Sequence, residues 1–203
     1  MKIICIGRNY AEHAKEMKSA IPTEPVFFMK PDTALIKDNQ PFYLPDFSKL
    51  IHHEVEIVLK INKNGKNISE EFANKYFDEI GIGIDFTARD IQESSKAKGL
   101  PWEKSKAFDG SAPISGFVSK KDYSDLTNLN FHLEINGNTV QHGNTKDLLF
   151  SFEKVIAYIS KFITLKQGDL IFTGTPEGVG AVKAGDKLSA FIENKKMMEF
   201  EVK

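Results

Sequence analysis

The sequence predicts an α+β fold built mainly on antiparallel and mixed sheet. Three observations carry that expectation. Strand-sized apolar or alternating runs recur from residue 2 to residue 202. Asn136-Gly137 stands between two such runs, and that dipeptide is a strong signal for a tight hairpin. Helical periodicity is confined to a few short segments between strands, with no linker, repeat or low-complexity tract to divide the chain. One domain over residues 1–203 is therefore expected.

Taken in order, residues 2–6 read as a strand, followed by the loop Gly7-Arg8-Asn9-Tyr10 and a short helix from Ala11 to about Ser19. Prolines break residues 26–47 into short strands. A strand over 52–61 ends in the turn Asn62-Lys63-Asn64-Gly65. Ser69 is placed to cap a helix over 70–77, with Glu70 and Glu71 in its electropositive first turn. Residues 79–85 alternate isoleucines with Gly81, Gly83 and Asp85, so the Asp85 face has room for a backbone or ligand to approach. Thr87-Ala88-Arg89-Asp90 resembles a capping box opening a helix to about Lys98. Strands follow near 113–118, 129–135 and 138–142. An amphipathic helix over 151–162 has Phe152, Val155, Ile156, Ile159 and Phe162 on its apolar side, and strands near 169–173, 187–193 and 197–202 close the chain.

Composition excludes several function classes. The chain has 203 residues, 41% of them hydrophobic, and a formal charge of −1, so no global field advertises nucleic acid or an anionic membrane as partner. No apolar run is long enough for a membrane helix, and Ile3-Ile4-Cys5-Ile6 leaves no room for a signal peptide. The single cysteine fits a reducing, cytoplasmic location, and the sequon Asn67-Ile68-Ser69 is then read as an accident. Of 27 basic residues only Arg8 and Arg89 are arginine. A planar fork is retained where a carboxylate needs bidentate binding, so the surroundings of both matter.

The chemistry starts at His53-Glu54-Val55-Glu56. The strand period puts Glu54 and Glu56 on one face, about 7 Å apart, where they repel. A solvated strand face is the ordinary reading of Glu-x-Glu. Asp85 on a second, glycine-cleared strand changes that reading by supplying a third carboxylate. Three carboxylates without cysteine or a His-x-x-x-His helix favour Mg²⁺ or Mn²⁺ over zinc. His52 shares the Glu54 face and reads as structural or supporting. His13 and Glu16, three apart on the first helix, can pair as a carboxylate-oriented base. Thr173-Gly174-Thr175-Pro176-Glu177-Gly178 follows a strand and offers backbone N–H groups to a small anion, but lacks the Gly-Lys-Ser/Thr ending of a nucleotide loop.

These pieces come in a familiar order. Gly7-Arg8-Asn9-Tyr10-Ala11-Glu12-His13, Phe28-Met29-Lys30-Pro31, His53-Glu54-Val55-Glu56, Asp85-Phe86-Thr87-Ala88-Arg89-Asp90, Gly99-Leu100-Pro101-Trp102, Lys106-Ala107-Phe108 and Thr173-Gly174-Thr175-Pro176 resemble the fumarylacetoacetate hydrolase family. The likeness is to its short branch of acylpyruvate hydrolases and oxaloacetate decarboxylases, and it runs from Ile3 to about Val202. It implies a mixed, mainly antiparallel β-roll with a few peripheral helices, and a homodimer. It implies Mg²⁺ or Mn²⁺ on Glu54, Glu56 and Asp85, and a water-activating dyad of His13 and Glu16 on a mobile lid within residues 1–20. It places Lys106 beside the metal, Gln92 near the reacting carbon, and Thr175 and Gly174 at the carboxylate of a small 2-oxo acid, with Arg8 and Arg89 as further substrate contacts. The activity expected first is cleavage of a C–C bond in a 3-acylpyruvate, because the dyad is superfluous for decarboxylation alone. Oxaloacetate decarboxylation or keto–enol tautomerisation on the same site is the alternative, and a non-catalytic metal- or carboxylate-binding module is a remote one.

Overall fold

A computed structural model describes all 203 residues. A six-stranded mixed sheet forms the centre, in the order Val26–Lys30, Ile3–Gly7, Leu170–Phe172, Val55–Ile61, Phe77–Ile84 and Val118–Ser119. Only the pairing of Ile3–Gly7 with Leu170–Phe172 is parallel in it. A wholly antiparallel four-stranded sheet runs Asn138–Asn144, Asn130–Ile135, Lys187–Ile192 and Lys195–Glu201. Asn136 and Gly137 both hold positive φ (54° and 80°), as a type I′ hairpin turn requires. Helices are few and short, so the α+β expectation holds. No helix is long and apolar enough to cross a membrane.

Alternation decides which face of the central sheet does what. Val55, Ile57, Leu59 and Ile61 enter the main apolar core together with Phe131, Leu133, Leu188 and Ala190 of the four-stranded sheet. Val58, in step with Glu56, joins a smaller cluster with Ile3, Cys5, Leu170 and Phe172 on the opposite side. The carboxylates therefore stand at the end of a second, thinner apolar layer.

Several elements differ from the sequence reading, each for a local reason. The strand over 52–61 is two strands, Ile51–His53 and Val55–Ile61, broken at Glu54 where the chain passes from a three-stranded sheet with Gly180–Ala181 and Thr87–Ala88 into the central one. The first helix stops at Glu16, because Lys18 turns to positive φ. The helix over 70–77 is one turn, Glu70–Ala73, continued by a 3₁₀ turn, and Ser69 makes no side-chain cap. The glycine-cleared face of Phe77–Ile84 is filled by protein. A Cβ on Gly83 would meet the Phe172 ring at 2.5 Å, and one on Gly81 would meet the Ser115 hydroxyl at 3.0 Å. Phe162 is exposed at the end of helix Phe152–Phe162, while the other four apolar positions are buried.

Candidate active site

Glu54, Glu56 and Asp85 converge because their strands are neighbours: Val55 pairs with Ile84 and Glu56 with Gly83. All three are buried, with one ligand oxygen from each lying within 4.8 Å of the others. Burial alone would raise Glu54, but Lys106 and then Arg89 more than reverse it and hold the carboxyl well below its ordinary value. Glu56 has no such partner. Burial, then Asp85 and Glu54, push its pKa well up.

Lys106 is fully engaged. Its Nζ donates to Glu54 Oε2 and Asp85 Oδ2, both at 2.7 Å, and to Thr87 Oγ1 at 2.5 Å. Arg89 donates from Nη2 to Glu54 Oε1 (2.5 Å) and from Nη1 to Gln92 Oε1 (2.6 Å). Lys30 is a second buried lysine, which the sequence reading gave no role. Its Nζ lies 2.8 Å from Asp85 Oδ1 and donates to Ser111 Oγ and to the Lys106 carbonyl. The Lys30–Asp85 contact is out of line for a hydrogen bond, so Asp85 Oδ1 is buried without a donor. An all-oxygen donor set, an under-satisfied buried oxygen and a carboxyl raised by its own neighbours fit a hard divalent cation.

Thr87 does not close a capping box. Its hydroxyl donates to the Asp85 carbonyl and accepts from Lys106, and helix Arg89–Ala97 starts without a side-chain cap. The loop after Phe172 departs from expectation in a similar way. Gly174 N–H donates to Glu56 Oε2 (2.7 Å) and Gly178 N–H to Glu16 Oε1 (3.0 Å), so the anions held by these amides are the protein's own carboxylates. Gly174 holds φ 106° with its Cα pressed against Asn9, where a Cβ would come within 2.6 Å of the asparagine Cβ. Asn9 in turn ties this loop to the chain at Phe150 through Nδ2 donating to the Thr173 and Phe150 carbonyls.

Thr175 remains for an incoming group, and Gln141 decides how. Gln141 Oε1 must face the Val55 N–H (3.0 Å) and its Nε2 must face the Pro176 carbonyl (3.0 Å), which fixes the amide orientation. Nε2 therefore donates to Thr175 Oγ1 (2.9 Å), leaving the threonine's own proton to point elsewhere. Gln141 Oε1 also accepts from His53 Nδ1 (2.8 Å), so that nitrogen carries the ring proton of a histidine whose pKa burial lowers. His52 lies 3.4 Å from Arg89 Nε, a supporting contact.

His13 pairs through Nδ1 with Glu16 Oε2 at 3.0 Å. His13, Arg8, Glu54, Glu56, Asp85, Arg89, Gln92, Lys106 and Thr175 all line one cleft. Gly174 stands just behind it. Lys30, Thr87 and Gln141 are the additions. Lys30 belongs to the Phe28-Met29-Lys30-Pro31 run, Thr87 has the local pattern of a helix cap, and nothing in the local sequence marks Gln141.

Comparison with known proteins agrees with this architecture. The family model described as "Fumarylacetoacetate (FAA) hydrolase C-terminal" matches residues 2–203. The chain belongs to the fumarylacetoacetate hydrolase family. Within that family it is 45% identical to the mouse mitochondrial oxaloacetate tautomerase FAHD1, over 99% of this chain and 91% of that protein. It is also 45% identical to the oxaloacetate tautomerase YcgM of Escherichia coli, over 93% of this chain and 86% of that one. The crystal structure of fumarylpyruvate hydrolase from Pseudomonas aeruginosa, in complex with Mn²⁺ and pyruvate, superposes with a TM-score of 0.94 at 35% identity, covering 100% of this chain and 89% of the other.

Proposed function

We propose that the protein is a divalent-cation-dependent oxaloacetate keto–enol tautomerase. The observation that carries the reading is one cleft with a carboxylate cage and buried cations on one side and a His–Glu dyad on the other. The names of relatives that are 45% identical over nearly the whole chain support the same choice.

A Mg²⁺ or Mn²⁺ ion held by Glu54, Glu56 and Asp85 would polarise the keto oxygen of a 2-oxo acid and acidify its C3–H. The protein's own groups carry the proton. Glu16 accepts from His13 Nδ1–H, so Nε2 is the free ring nitrogen and can take a C3 proton. Charge then moves to the C2 oxygen as C2–C3 becomes double, and a proton returned to that oxygen gives the enol. All three Lys106 N–H groups already have acceptors, so Lys106 acts on the developing charge through its field in a water-poor cleft. Thr175 donates to the substrate carboxylate. Gly178, by holding Glu16 Oε1, ties helix Ala11–Glu16 to the loop that carries Thr175.

This reading replaces acylpyruvate hydrolysis as the first expectation. The dyad favours hydrolysis only over decarboxylation, which needs no activated water. Tautomerisation needs a base at C3, so the dyad is equally at home there. Hydrolysis stays as a second reading because the same base can activate water, and a hydrolase shares the fold at 35% identity. Residence in a reducing compartment and assembly as a homodimer belong to the same proposal. The single buried thiol fits the first, and sedimentation at two protein concentrations checks the second.

The test follows enol-oxaloacetate by its ultraviolet absorbance in the presence of Mg²⁺ or Mn²⁺, with acetylpyruvate cleavage measured beside it. Oxaloacetate tautomerisation should have the higher kcat/KM, and EDTA should abolish it. A higher kcat/KM for acetylpyruvate cleavage would return the hydrolase reading to first place.

A further inference from the structure

Beyond the carboxylate cage the cleft continues along two aromatic rings with a cation at each end. Lys106 Nζ lies 5.2 Å from the Phe28 ring centroid. Phe28 meets Trp102 edge-on at 5.8 Å between centroids. Lys96 Nζ stands 5.9 Å from the Trp102 centroid. Helix Arg89–Ala97 sets this spacing, because Arg89, Gln92 and Lys96 follow i, i+3, i+7 and all three line the cleft. Lys96 comes about 10 Å further along the helix axis than Arg89. Burial changes in step: Arg89 and Gln92 are buried and Lys96 is half-buried.

The inner cations are neutralised by protein. Arg89 and Lys106 both hold Glu54. The outer ones have no such partner. Neither Arg8 nor Lys96 has a carboxylate oxygen within 4.0 Å, and both are half-buried in the same cleft. Burial, then Arg89 and Arg8, push the Lys96 pKa down against the opposing pull of Glu54. Arg8 also sits at φ 60°, a backbone region uncommon for a residue with a Cβ. Two unpaired cations held together against their repulsion are complementary to an anion brought by the ligand.

We propose that Lys96 and Arg8 form a distal subsite for the second carboxylate of a dicarboxylic 2-oxo acid, selecting dicarboxylates over ligands with a neutral end. The inner half of that ligand rests on the tautomerase reading, with its keto-acid end toward Glu54, Glu56 and Asp85. Phe28 and Trp102 then cover the methylene between the two ends.

Binding tests the subsite without turnover. Malate and lactate differ by the distal carboxylate, and Trp102, the only tryptophan of the chain, reports from the cleft wall. In the Mg²⁺-saturated protein, fluorescence titration should give a preference for malate of about ten- to a hundredfold, the range of a hydrogen bond to a charged group. Lys96→Met should lose most of that preference while keeping its affinity for lactate. Lys96→Arg should retain the preference. An unchanged preference in Lys96→Met overturns the subsite, and so does an equal weakening of both ligands, which marks a structural role. A Lys96-dependent malate preference in a protein that fails to tautomerise oxaloacetate supports the subsite and removes the activity reading. Tautomerisation without any malate preference does the reverse.

Discussion

Lys106 is held by three acceptors, two of them carboxylates; burial by itself would lower its pKa, but Asp85 and Glu54 more than reverse that and raise it above the ordinary lysine value. Lys106→Met keeps the stem and removes the charge that faces the reacting oxygen. Loss of one such electrostatic contact typically costs about 3–4 kcal/mol of transition-state stabilisation, roughly a hundred- to a thousandfold in rate. Lys104 is exposed two residues away, and Lys104→Met should leave the rate unchanged. Steady-state tautomerase kinetics on both variants decides this, and equal effects would reduce Lys106 to a structural charge. The groups with distinctive chemistry were readable at this scale: carboxylates two apart on a strand, a histidine three from a glutamate, arginine in a lysine-rich chain. Gln141 was not readable, since its role comes from contacts with Val55, Thr175 and Pro176 across 34 to 86 residues. Lys30 escaped for a related reason, because a lysine ending a strand looks the same in sequence whether it is solvated or paired to Asp85.

Secondary elements followed periodicity where packing agreed with it and failed where the site claimed a residue. Ser151 does cap helix Phe152–Phe162, accepting from the Lys154 N–H, as a serine before an apolar run suggests. Thr87 has the same local credentials and is drawn to Lys106, since a buried ammonium needs its third acceptor more than a half-exposed helix end needs a cap. Glu54 likewise breaks a strand that hydropathy reads as continuous, because it is the point where one chain serves two sheets. Gly83 shows how tightly these layers meet. An added methyl would stand 2.5 Å from the Phe172 ring and 3.0 Å from Val58. Gly83→Ala should therefore destabilise by about 1–3 kcal/mol, the usual range for overpacking. Urea unfolding should show a lower midpoint with unchanged slope. Gly116→Ala, where no atom lies within 4 Å of the added carbon, serves as the control.

At the scale of the whole molecule, fold and site are coupled through charge that local sequence cannot express. The order of strands in the central sheet, with Leu170–Phe172 inserted between Ile3–Gly7 and Val55–Ile61, was not legible, since parallel pairing leaves no local turn signal. That order brings the loop at Gly174 against Glu56 and so completes the carboxylate cage. The cage strains the fold it belongs to. Burial, then Asp85 and Glu54, raise Glu56 above its reference value of 4.5, so in EDTA-treated protein the folded state binds a proton more tightly than the unfolded chain does. The Glu56 contribution to stability is then fully present below about pH 4.5 and is lost as pH rises toward the raised value. A divalent cation reverses that slope, because it competes with the proton and needs the ionised carboxylates. At a hundred times its dissociation constant it should add about 2.7 kcal/mol, or about 5–10 °C in Tm for a chain of this size. Thermal unfolding with EDTA or Mn²⁺, at a lower and a higher pH above the reference value of 4.5, measures both effects. The gain from Mn²⁺ should be larger at the higher pH. Glu56→Gln should lose most of it, and should be less sensitive to pH in EDTA, because the repulsion is gone along with a ligand. A Tm gain from Mn²⁺ that survives Glu56→Gln and ignores pH would put the cation elsewhere on the protein, and the Lewis-acid part of the proposed mechanism would lose its site.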